Sequence, residues 1–153
     1  MPKPLHLALL ACLLLTATSA GFSHSEAGSL TLRPERTDWR ETSTSTEVID
    51  LLQKLAAQNP GMHYTTFGES TQGRPLPLLI VGPSSVAETT PEAIRASGKL
   101  RVYLKGNIHA GEVAGKEALL LLVRELALGQ HDAWPRELVL LIGPNYNPDG
   151  NES

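Results

Sequence analysis

A histidine and a glutamate three residues apart, His109 and Glu112, stand where an apolar run beginning at Leu100 ends and a long aliphatic pattern begins. An imidazole nitrogen and a carboxylate oxygen both suit zinc, at bond lengths of about 2.0–2.2 Å. With the histidine on a loop at a strand end and the glutamate on the next helical turn, the two side chains can reach one point. A catalytic zinc takes about three protein ligands plus water, so the pair is an incomplete set. A second reading is open on spacing alone. The helix dipole favours a glutamate in a first turn, and a loop histidine needs no ligand role. Five histidines and 16 acidic residues in 153 positions make one such pair unsurprising by chance.

The elements that must position the pair can be read from periodicity and punctuation. Thr44-Ser45-Thr46-Glu47 fits a capping box, and Val48, Leu51, Leu52 and Leu55 follow at helical spacing, so a helix ending near Asn59-Pro60-Gly61 is expected. Met62 to Phe67 and Leu76 to Val81 read as strands, joined by the polar, glycine-bearing turn Gly68 to Arg74. Thr90-Pro91 reads as cap and first-turn proline of a short helix ending at Gly98. Leu100 to Leu104 is a third strand, Glu112 to Leu128 a second long helix stopped by Gly129, and Glu137 to Ile142 a fourth strand. Strands alternating with helices, in nearly continuous apolar runs, predict an α/β fold: a mixed, largely parallel sheet flanked by helices. The handover at His109 falls at the carboxyl end of a strand, where such sheets place ligands.

Bulk composition narrows the function classes. Hydrophobic residues make up 41% and charged residues 19%, as in globular chains. The net charge of −3 comes without any long basic run, which excludes a nucleic-acid groove. Met1-Pro2-Lys3, the apolar stretch Leu5 to Ala17 and the small residues Thr18-Ser19-Ala20 have the layout of a signal peptide over residues 1–20. The stretch is too short for a comfortable span, so export to an extracellular or periplasmic location is expected, with no stable membrane insertion. Its removal takes away Cys12, the only cysteine, so any metal must be held by His, Asp or Glu. Residues 21–34 read as a polar lead-in without its own core.

The stretch GNIHAGEVAGKEALLLLVREL, followed by PNYNPDGNES, resembles the zinc carboxypeptidases of the carboxypeptidase A-like metallopeptidase family. The helix at Thr44 to Gln58 and the GESTQGRPLPLLIVG segment resemble the start of that catalytic domain, and the likeness covers residues 35–153. The resemblance implies that His109 and Glu112 are two of three Zn2+ ligands and that Asn147 contacts the substrate's terminal carboxylate. It also implies that the third ligand and the general-base glutamate lie downstream, leaving no catalytic residue in this chain. The expected domain is thus an incomplete, truncated N-terminal part of a carboxypeptidase-like domain, inactive alone and acting on a peptide or small amide substrate. Digestive members carry serine and arginine between the two ligands where this chain has Ala110-Gly111, so its substrate handling should differ. An amidase, deacylase or cell-wall peptide hydrolase of the same fold is one alternative, and a non-catalytic secreted homologue another. His24, His63 and His131 are expected to be structural or solvated; Arg74 could be functional, but a hairpin arginine reads first as solvated. Asp149-Gly150 reads as a turn, and Asn151-Glu152-Ser153 matches a glycosylation acceptor pattern.

Overall fold

The structure is a computed structural model that describes residues 30–82 and 90–153. The expected signal peptide, Cys12 and His24 lie outside the described residues. Four strands, β1 (Met62–Glu69), β2 (Pro75–Val81), β3 (Leu100–Lys105) and β4 (Leu138–Gly143), form one sheet in the order β1-β2-β4-β3. β1 pairs antiparallel with β2, β2 antiparallel with β4, and β3 parallel with β4. The sheet is mixed, and only its β3–β4 ladder is parallel. A short connection lets β1 and β2 fold back on each other. Two parallel neighbours need a crossover, which here is helical.

The helices are α1 (Arg33–Arg36), α2 (Ser45–Gln58), α3 (Pro91–Ala96), α4 (Val113–Ala127), α5 (Ala133–Glu137) and α6 (Pro148–Asn151). α2 starts where its sequence says it must. Glu47 N–H donates to Thr44 Oγ1 at 3.2 Å, and Thr44 N–H donates to Glu47 Oε2 at 2.9 Å. Its apolar stripe, Val48, Leu52 and Leu55, is fully buried.

Strand alternation sends β2 and β4 side chains to two faces. Leu79, Val81, Leu140 and Ile142 meet the α2 stripe and Leu120, Val123 and Leu126 of α4, forming the main core. Ile80 and Val139 point the other way and pack with Ile94 of α3. Both faces of the central strands are therefore covered, which explains their unbroken apolar runs. The described end of the lead-in also reaches the core, for Leu30 and Leu32 are buried there.

Candidate metal and substrate site

β3 ends at Lys105, and the next residues are shaped by close approach. A Cβ on Gly106 would stand 2.8 Å from the Gly115 carbonyl carbon and from the Lys116 nitrogen, so only glycine lets the start of α4 seat against the strand end. Asn107 then takes a left-handed conformation, φ +53°, which asparagine tolerates better than most residues. The ladder carries on past the strands. Gly106 N–H donates to Gly143 O at 3.0 Å, Tyr146 N–H to Gly106 O at 3.1 Å, and Asn147 N–H to Asn107 O at 3.0 Å. These bonds carry the segment after β4 alongside the loop that bears His109.

Gly111, at φ +82°, turns the chain back, and Glu112 N–H reaches His109 O at 3.2 Å. His109 Nδ1 and Glu112 Oε2 stand 3.0 Å apart, with side chains 75% and 65% exposed. Glu112 is the N-cap residue of α4, yet its side chain makes no capping hydrogen bond. It leans instead toward the imidazole, a choice that helix capping does not explain. An imidazole nitrogen and a carboxylate oxygen converging at a solvent-open strand end are a donor set that fits zinc as two ligands. Among the described residues no group of three or more His, Cys, Asp or Glu comes together, so the set is partial.

Asn147 caps α6 and braces the loop. Its Oδ1 accepts from Gly150 N–H at 2.9 Å, and its Nδ2 donates to Ile108 O at 3.3 Å. Gly150 makes this possible, because a Cβ there would lie 2.7 Å from Asn147 Nδ2 and 2.9 Å from Ala110 Cβ. The Asn-Pro-Asp-Gly segment is thus a short helix pressed onto the residues between the two candidate ligands. Sequence reasoning read Asp149-Gly150 as a turn and Arg74 as solvated. In the structure Arg74 Nη1 meets Asp149 Oδ1 at 2.6 Å, and Ser70 Oγ donates to the same oxygen at 2.7 Å, so the β1–β2 turn is docked on α6. Burial acts to raise the Asp149 carboxyl, but hydrogen bonds from Ser70, Arg74 and Gln72 outweigh it and hold the group below its ordinary value. His131 pairs with Glu125 at 2.9 Å and stacks on Trp134, which gives it a structural partner.

Beneath the loop lies a polar cluster that sequence reasoning missed. Lys116 is completely buried; its ammonium donates to Ser43 O and Asn151 Oδ1 and lies 3.5 Å from Glu117 Oε1. Glu117 in turn accepts from Thr42 Oγ1 at 2.5 Å, Ser43 N–H at 2.7 Å and Ser43 Oγ at 2.9 Å. Asn107 Nδ2 reaches Asn145 Oδ1 at 2.9 Å and Asn151 Oδ1 at 3.2 Å. A visible signal existed: Lys116 falls on the helical stripe of Leu120, Val123 and Ala127, where a cation has no business without partners. The amide of Asn151 is equally committed, since its Nδ2 donates to Ser43 O at 3.2 Å, so the acceptor pattern at Asn151 sits inside the fold's own bonding.

Comparison with known proteins finds likenesses in both sequence and fold. The family profile described as zinc carboxypeptidase matches residues 48–153. Carboxypeptidase 2 of Trichophyton rubrum is 34% identical over 137 residues, 86% of this chain and 22% of that protein. Carboxypeptidase D of Rattus norvegicus is 34% identical over 111 residues, 63% of this chain and 8% of that protein. Among solved structures, carboxypeptidase A from Helicoverpa armigera superposes with a TM-score of 0.59 at 21% identity, covering 71% of this chain and 25% of that one. A metallo-carboxypeptidase from Burkholderia cenocepacia gives 0.52 at 26% identity, covering 69% and 27%. The chain therefore spans less than a quarter of these two named relatives.

Proposed function

Since the chain belongs to the zinc carboxypeptidase family, we propose that it supplies the first part of a zinc-dependent site that hydrolyses C-terminal peptide bonds. His109 Nδ1 and Glu112 Oε2 serve as two of the metal's ligands. The observation that carries this reading is their convergence at 3.0 Å, with Glu112 turned away from capping its own helix. A zinc ion held there supplies Lewis acidity toward a carbonyl and lowers the pKa of bound water.

The chain's own residues supply orientation. Gly111 sets the turn that brings Glu112 back to His109, and Asn147 fixes that loop through Ile108 O. Asn147 Nδ2 has two hydrogens and gives one to Ile108, so the second is the one we assign to a substrate carboxylate. No cationic side chain stands between the two ligands, because Ala110 and Gly111 occupy those places. The scissile carbonyl therefore receives no guanidinium from this loop. The third ligand and the general base come from outside residues 1–153, and the chain by itself holds zinc weakly and is inactive. Residues 1–20 act as an export signal; N-terminal sequencing of the mature protein should begin at Gly21, and an intact Met1 start would refute that.

The direct test uses a peptide with a free C-terminus and its amidated twin. The zinc-loaded full-length protein should shorten the first, spare the second, and stop when the metal is chelated. Chelator-resistant cleavage, or strong activity from the 153-residue chain alone, would contradict the proposal.

A further inference from the structure

The buried Lys116 presents an energetic problem. Taking an ammonium out of water costs several kcal/mol unless its partners compensate, and an apolar residue would extend the α4 stripe more cheaply. Burial pushes the Lys116 ammonium below its usual pKa, and Glu117 opposes that shift. What the ion does locally explains little, but what it connects explains more. Its partners come from the segment before α2, through Ser43, and from α6, through Asn151. Lys116 itself stands one helical turn after Glu112. Asn151 Oδ1 receives the ammonium and also Asn107 Nδ2, so one acceptor joins Lys116 to the residue two before His109.

Asn107 is where that connection is needed. It holds a left-handed backbone, and among the described residues its Oδ1 is the one buried side-chain polar atom without a hydrogen-bond partner. Such a conformation persists only when its surroundings over-determine it. Its Nδ2 contacts, to Asn145, Asn151 and the Asn147 carbonyl, are the restraints that do so. Two of them run through α6, whose last residue, Asn151, is held by Lys116.

We propose that Lys116 is a positioning residue of the His109–Glu112 site: clamped between Ser43 O and Asn151 Oδ1, it locks α6 and the strained Asn107 turn, and so fixes the loop that carries both ligands. The loop's function as a metal holder rests on the proposed function above; the locking does not.

The test compares full-length wild type with Lys116→Met, with Lys116→Arg, and with the double variant Lys116→Met/Glu117→Gln. The double variant removes both buried charges together and guards against a single variant that fails to fold by stranding Glu117. Two readouts are taken: amide hydrogen exchange of the metal-free protein, and Zn2+ affinity with the visible spectrum of the Co2+ form. In the folded double variant, exchange across residues 106–112 and 145–151 should rise selectively. Zn2+ affinity should fall by roughly 10-fold or more, as for other residues supporting a metal's ligands, with an altered Co2+ spectrum. Lys116→Arg should recover part of both. Unchanged exchange and affinity in the double variant would overturn the proposal, and so would a uniform rise in exchange over the whole chain, which would make Lys116 a stability residue only. If the wild type takes no metal while the double variant still shows the selective rise in exchange, the zinc reading is overturned and the positioning role stands.

Discussion

At the residue scale the site is made by backbone conformations that few side chains permit. Gly111 at φ +82° has nothing within 4 Å of where a Cβ would stand, so substitution there costs conformation rather than space. Gly111→Ala should therefore lower stability by only about 1 kcal/mol. It should nonetheless weaken zinc binding several-fold, because the turn sets where Glu112 meets His109. Titration with a competing chelator measures this, and wild-type affinity in the variant would show that the turn does not set the ligand geometry. The spacing of His109 and Glu112 was legible in the sequence, but the orientation of Glu112 was not. A glutamate opening a helix reads equally well as a partner of the dipole, and neither the missing capping bond nor the contact with His109 is visible in the spacing.

At the element scale the chain was largely readable. The capping box at Thr44, the proline after Thr90 and the glycine after Leu128 fixed helix ends to within a residue or two. Strand direction was harder, because apolar runs report burial on two faces rather than which neighbour is parallel. The lead-in hid its role because Leu30 and Leu32 lie among polar residues. Its anchor is Glu35, which accepts from Arg124 Nη1 at 2.6 Å and Nη2 at 2.8 Å and so ties α1 to α4. The Arg124 hydrogen bonds hold the Glu35 carboxyl below its ordinary value of 4.5, although burial opposes them. A carboxyl depressed in the folded state stabilises the fold above its unfolded value and loses that contribution as pH falls through the folded one. Acid titration of the wild type should therefore lose stability below about pH 4.5, a loss that Glu35→Gln should reduce. At neutral pH the variant should be less stable by about 1–2 kcal/mol. Parallel stability–pH curves for the two proteins would remove Glu35 from the account.

At the scale of the whole molecule, one end of a β–α–β unit carries everything the site needs from this chain. The pairing that continues past β3 and β4 sets Asn147 against the Asn107–Ile108 segment leading into His109, Glu112 stands at the N-cap of α4, and α6 presses on Ala110 between the two proposed ligands. The buried polar cluster beneath was the least legible part, because its partners Ser43, Lys116 and Asn151 are far apart in sequence and only the fold brings them together. The central claim is that His109 and Glu112 bind zinc, and zinc content tests it most directly. Full-length protein, purified and dialysed against metal-free buffer, should retain about one zinc per chain by elemental analysis. His109→Ala and Glu112→Gln should each retain far less while keeping the wild-type fold by circular dichroism. Equal zinc in the wild type and His109→Ala would contradict the account.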